Sequence, residues 1–150
     1  MPHAGEDRWA FGQGEVVLVT GDISRLPADA IVNAANSAFA AGGGVDGALR
    51  RAAGPELSGE LRRRFPMGTP TGTAVSTGAY DLPANWVIHA VGPVWNLGGQ
   101  DKLDLLASAD ASVLREADAL GARTINMPAI SAGTFGFPID TPRPMSRSAP

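Results

Sequence analysis

The chain has no cysteine, which excludes disulfides, thiolate nucleophiles and cysteine-type zinc sites and removes any sign of an oxidising compartment. Histidine is almost as scarce. His3 falls in a terminal tail and His89 inside an apolar strand-like run; neither has metal-ligand spacing, and His89 reads as a satisfied core histidine. Lysine and arginine (12) are outnumbered by aspartate and glutamate (15), for a net charge of −3, and no basic run is interleaved with aromatics. Tight binding to a nucleic-acid backbone is therefore not expected. No apolar stretch is long enough to span a bilayer, and MPHAGEDRWAFG lacks the basic start and apolar run of a leader. The expectation is a soluble, cytoplasmic protein. Two motifs are also missing. Ser131 follows Ala129-Ile130, so there is no G-x-S-x-G and no partner histidine for a serine triad, and no G-x-x-x-x-G-K-[ST] phosphate loop occurs.

What is present is 150 residues, 44% apolar and 18% charged, the composition of one ordinary globular domain with enough chain for a packed core. Apolar runs at Trp9–Phe11 and Val16–Thr20 flank Gly12-Gln13-Gly14 and read as a hairpin. Ala30–Ala34, Thr73–Thr77, Trp86–Val91 and Thr124–Met127 read as further strands. Val45–Ala53 and Glu56–Phe65 read as helices separated by Gly54-Pro55. Lys102–Leu120 has Leu103, Leu106, Val113, Leu114, Ala117 and Leu120 at helical spacing. That pattern leaves Asp104, Asp110, Arg115 and Glu116 for the wet side and Gly121 as the terminating glycine. Strands alternating with helices, each strand a near-continuous apolar run, predict an α/β domain with a largely parallel sheet. After Phe137-Pro138 the pattern gives way to DTPRPMSRSAP, three prolines in eleven residues. The division expected is an N-terminal tail over 1–8, a domain over 9–138 and an irregular tail over 139–150.

The chemistry concentrates in two glycine-rich loops. Ala41–Gly47 (AGGGVDG) precedes a predicted helix, where glycines let backbone N–H groups approach an anion and the helix N-terminus adds partial positive charge. Read alone, its alternative is a helix-entry turn, the lesser of the two readings; its G-x-G-x-x-G match lacks the acidic residue that a Rossmann unit needs. Ser131–Pro138 (SAGTFGFP) is a second such loop, after a second strand, and two loops facing one sheet edge suggest a diphosphate. Gly21-Asp22 and Asn33-Ala34-Ala35-Asn36 end strands at the same edge. Singly, Asp22 could be an N-cap and the asparagines Asx-turns.

Five segments in order then carry a resemblance: GDIS (21–24), IVNAANSAF (31–39), GGGVDGALRRAAGPEL (42–57), VIHAVGPVW (87–95) and PAISAGTFGFP (128–138). From about Trp9 to Pro138 the chain resembles a macro domain of the MacroD-like class, which includes O-acetyl-ADP-ribose deacetylases and mono-ADP-ribosyl-protein hydrolases. The resemblance implies a three-layer α/β/α sandwich with a mixed, mostly parallel sheet and ADP-ribose at the carboxyl ends of the strands. It implies that Asp22 accepts from the adenine amino group while the N–H of Ile23 holds the ring. Gly43, Gly44 and Val45 would line one side of the diphosphate. Ser131, Ala132, Gly133, Thr134, Phe135 and Gly136 would wrap the other, with Phe135 against the distal ribose. It also implies catalysis by Asn36, anchoring a ribose hydroxyl, and Asp46, orienting or deprotonating the attacking water, with no metal or cofactor.

The chain departs from the family pattern at Ala41, where many relatives have glycine, and at Arg50, where many have histidine. It also departs after Pro138, where relatives continue with a helix and a last strand. In the family fold that strand lies between the strands matching Val16–Thr20 and Thr124–Met127. Three outcomes are expected from its loss: closure of one strand onto the other, a strand supplied by another chain, or weak stability with a damaged adenine end, the last being favoured. The activity expected is hydrolysis of O-acetyl-ADP-ribose or of ADP-ribosyl esters on mono-ADP-ribosylated proteins. A binding module without turnover is the alternative, and a Rossmann-type oxidoreductase ranks last.

Overall fold

A computed structural model describes residues 8–94 and 100–130. Its centre is a four-stranded sheet in the order β4-β5-β3-β6, built from β3 (Ala30–Ala35), β4 (Ala74–Gly78), β5 (Trp86–Val91) and β6 (Ile125–Asn126). β3 runs parallel to β5 and to β6, and β4 antiparallel to β5, so the sheet is mixed and mostly parallel. β3 lies inside the sheet and is buried along its length apart from Ala34, as a near-continuous apolar run requires.

Side chains alternate across β3 and β5, and the alternation sorts the core into two faces. Ala30, Val32, Ile88 and Ala90 pack with Leu106, Val113 and Ala117 of α3 (Gln100–Leu120). Ile31 and Val87 pack with Leu49 and Ala53 of α1 (Gly44–Ala53) and Leu57 of α2 (Pro55–Arg64). Helices thus cover both faces, giving the α/β/α sandwich. α1 and α2 break at Gly54, whose φ of +90° no L side chain adopts easily, and Pro55 opens α2 where its missing N–H costs nothing. α3 ends at Gly121 with the Ala122 N–H donating to the Ala117 carbonyl at 2.9 Å, the closure expected of a C′ glycine.

Two expectations need correction. The strand predicted over Val16–Thr20 ends early: β1 (Arg8–Phe11) and β2 (Gly14–Val17) form a two-stranded antiparallel sheet of their own, and Leu18 and Val19 are 59% and 56% exposed. Among the described residues β2 does not pair with β6, so closure of the one onto the other does not occur. An apolar run is buried only when a neighbour covers it, and among the described residues none covers Leu18 or Val19. Asp110, assigned to the wet face of α3, is instead buried at 7% exposure, because the packed stripe of this helix is wider than its leucines and alanines indicate.

Candidate functional site

The parallel strands bring their carboxyl ends to one edge, and the candidate residues of the first half of the chain collect there. Asn36 follows the last residue of β3, and the loop that leaves it returns as Gly42-Gly43 to open α1. Gly43 is the N-cap and supplies no side-chain cap, so the first-turn N–H groups have no acceptor within the helix. Gly42, Gly43 and Gly44 are exposed. The loop folds back tightly: a Cβ on Gly47 would stand 2.8 Å from the Gly42 carbonyl oxygen. Gly44 sits at φ +57°. The result is an uncapped helix N-terminus behind exposed glycines, which suits an anion.

Asp46 lies in the first turn of α1, 4% exposed. Its Oδ2 accepts from the Gly42 N–H at 2.7 Å and its Oδ1 from Asn33 Nδ2 at 2.8 Å. Arg50 Nε, one helical turn on, donates to both oxygens at 3.0 and 3.1 Å. The remaining guanidinium nitrogens reach Ser58 Oγ (Nη1, 2.9 Å) and the Phe39 carbonyl (Nη2, 2.9 Å). With side chains only 10% and 6% exposed, Arg50 and Asp46 form a buried ion pair, of the kind in which loss of one partner costs about 3–5 kcal/mol.

Beneath Asp46 the sheet carries a chain of buried polar groups whose hydrogens can be assigned. Thr77 Oγ donates to the Gly78 carbonyl at 3.0 Å, so it must accept from His89 Nε2 at 2.9 Å. His89 is then the Nε2–H tautomer, and its Nδ1 accepts one Asn33 amide hydrogen at 3.1 Å while the other goes to Asp46. A neutral imidazole is required, and burial, helped by the nearby Arg50 charge and opposed by Asp46 and Glu60, depresses the His89 pKa to about 3. Asn33 Oδ1 has no hydrogen-bond partner among the described residues. His89 is thus the core histidine expected. Asn33, read as a strand-end residue, proves to be mid-strand, paired in register with His89 and fully buried.

Asn36 braces its own turn: its amide nitrogen donates to the Ala40 carbonyl at 2.8 Å and its oxygen accepts from the Ala40 N–H at 3.0 Å. Phe39 within that turn holds φ +56°, seated by edge-on contacts with Phe65 and His89. Asp22 is the N-cap of a 3-10 turn over Ile23–Arg25. Its Oδ1 accepts from the Ser24 N–H and hydroxyl at 3.0 and 2.7 Å, and these two bonds hold its carboxyl below the usual range. Ile23 and Val45 pack against the same core cluster, which brings the Asp22 turn beside the opening of α1. Ser131, Ala132, Gly133, Thr134, Phe135 and Gly136 lie outside the described residues. Sequence reasoning placed Asn33 at the functional edge and singled out Arg50 as a departure from the family pattern, but gave neither its contact with Asp46, and it missed Thr77; the legible signal was an asparagine interrupting the apolar run Ala30–Ala35. A shallow groove of about 270 Å³ lined by Ala38, Phe39, Leu61, Arg62, Phe65 and Pro66 contains none of the candidate residues.

The macro domain family model matches residues 32–145. A macro domain-containing protein of Streptomyces coelicolor is 54% identical over 129 residues, covering 83% of this chain and 76% of the relative. The O-acetyl-ADP-ribose deacetylase of Escherichia fergusonii is 49% identical over 128 residues, covering 84% and 72%. Among solved structures, the Oceanobacillus iheyensis macrodomain with ADP superposes with a TM-score of 0.82 at 36% identity, over 88% of this chain and 72% of that one.

Proposed function

The chain belongs to the macro domain family, and from that premise we propose that it binds ADP-ribose at the carboxyl edge of the sheet and hydrolyses ADP-ribosyl esters there. The observation that carries this reading is the uncapped N-terminus of α1, with Asp46 fixed in its first turn and the Asn36 turn tied to it. The N–H groups of Gly43, Gly44 and Val45 and the helix dipole take the diphosphate. Asp22 has Oδ1 occupied by Ser24, and the only approach to Oδ2 among the described residues is Arg25 at 3.9 Å, so Oδ2 is the acceptor offered to the adenine amino group beside Ile23.

Asn36 uses one N–H and one lone pair on Ala40, leaving one of each for a ribose hydroxyl. Asp46 accepts four hydrogen bonds from three donor hydrogens, because the single Arg50 Nε–H is shared between both oxygens while Asn33 and Gly42 each hold one. A water that donates to one oxygen takes the place of one half of that shared bond. Water and the ester yield ADP-ribose, a carboxylate and a proton. The deacetylase name of the Escherichia fergusonii relative supports an acetyl ester as one substrate, and an ADP-ribosylated acidic side chain presents the same chemistry.

A second reading, a binding module without turnover, is favoured by the burial of Asp46 and its pairing with Arg50, which leave little of the carboxylate for chemistry. The two separate in one experiment: incubation with O-acetyl-ADP-ribose or a glutamate-ADP-ribosylated protein while free ADP-ribose is followed, for wild type and Asp46→Ala. A hydrolase loses turnover by orders of magnitude in the variant and keeps most of its ADP-ribose affinity. Binding without release in the wild type establishes the module instead. Because the substitution strands Arg50, the assay is run below the variant's melting transition.

A further inference from the structure

We propose that Arg50 is a positioning residue for this hydrolysis, holding Asp46 and the Asn36 turn in one rigid frame. The proposal rests on the assignment of Asn36 and Asp46 as the reacting pair. The guanidinium engages three structures at once: Nε the Asp46 carboxylate, Nη2 the Phe39 carbonyl and Nη1 Ser58 of α2. The Phe39 carbonyl belongs to the turn that carries Asn36, because the Phe39 N–H donates back to the Asn36 carbonyl at 3.0 Å. Phe39 is a non-glycine residue at φ +56°, a conformation that must be held from outside, and Arg50 is one of the groups holding it.

Asn33 and the Gly42 N–H each fix one Asp46 oxygen, but they anchor it to β3 and to its own loop. Among the side chains described, Arg50 is the one that hydrogen-bonds both the carboxylate and the turn bearing Asn36; the second route, through Asn33 and His89, meets that turn by a ring contact with Phe39 and not by a hydrogen bond. The fork thereby sets the separation between the water on Asp46 and the ribose hydroxyl on Asn36. A planar, multidentate guanidinium can do this; a lysine ammonium, a point charge, can satisfy the carboxylate but not the three directions together.

The test compares wild type with Arg50→Lys and Arg50→Ala, using O-acetyl-ADP-ribose for turnover and ADP-ribose for binding. Misplacement of a reacting group by about 1 Å costs about 100-fold, so kcat in both variants is expected to fall about 10–100-fold, with the ADP-ribose Kd within about threefold, since the diphosphate amides are untouched. Millimolar ethylguanidinium should restore part of the Arg50→Ala kcat, and ethylammonium at the same concentration should not. If Arg50→Ala does not fold, Arg50→Lys carries the test, since it keeps the buried positive charge. A second readout needs no turnover: amide exchange of Gly42, bonded to Asp46, and of Phe39, bonded to the Asn36 carbonyl. In Arg50→Lys both should lose protection while the core amides of β3 and β5 keep theirs. Wild type that releases no ADP-ribose overturns the hydrolase reading alone, and the exchange result still decides whether Arg50 ties the two segments. Unchanged kcat in both variants, or unchanged protection of both amides, overturns the proposal. So does a kcat loss matched by an equal loss of affinity.

Discussion

His89 lies between Asn33 and Thr77 with no exposure, and its two ring nitrogens are both committed. Its pKa falls from 6.5 to about 3 on folding, first because burial penalises the cation and then because Arg50 is near. Between those values the unfolded chain binds more protons than the folded one. The contribution is therefore complete above about pH 6.5 and is lost as pH falls, at about 1.4 kcal/mol per unit. Urea midpoints measured between pH 7.5 and 4.5 should fall more steeply for wild type than for His89→Gln; parallel slopes would show that His89 does not carry the dependence. At Asp22 the turn reading and the ligand reading prove compatible, since one oxygen caps Ser24 and the other is left toward solvent. Asp22→Ala should weaken ADP-ribose binding roughly tenfold or more by removing a charged acceptor. Calorimetry giving an unchanged Kd would take Asp22 out of the site.

Among the elements, α1 joins fold and site most directly. Leu49 and Ala53 bury one stripe of it against the sheet, while the backbone N–H groups of its first turn have no acceptor within the helix. Gly47 is the residue that lets the preceding loop fold back over that turn, since any side chain there meets the Gly42 carbonyl. Gly47→Ala should push the loop off the helix and lower ADP-ribose affinity about tenfold or more while the sheet stays folded; unchanged affinity with an unchanged melting profile would mean the loop adapts. The bounds of α1, α2 and β5 were legible because glycine, proline and apolar spacing act locally. β2 was not: the same apolar run reads as a buried strand whether or not a neighbour exists to cover Leu18 and Val19.

At the scale of the whole molecule, net charge is −3, and among the described residues of the candidate site the buried arginine, Arg50, is already engaged by a carboxylate. A diphosphate held there meets backbone amides and a helix N-terminus rather than a field of mobile cations, so the ADP-ribose Kd should change by less than about threefold between 50 and 300 mM salt. A steep dependence would reveal a charged groove in contact with the ligand. The sequence by itself determined the order of strands and helices, the glycine-rich entry to α1, the core character of His89 and, through five ordered motifs, the family. Each of these depends on neighbours in the chain or on the chemistry of one residue type. Tertiary structure alone decided that Asn33, His89 and Thr77 meet under Asp46, that Arg50 ties it to Phe39 from the other side, and that β1 and β2 pair apart from the main sheet. The side-chain contacts among them join residues 11 to 56 positions apart in the chain. They turn on which side chains the register of β3, β4 and β5 sets on one face, and on whether a strand has a partner, neither of which local spacing encodes.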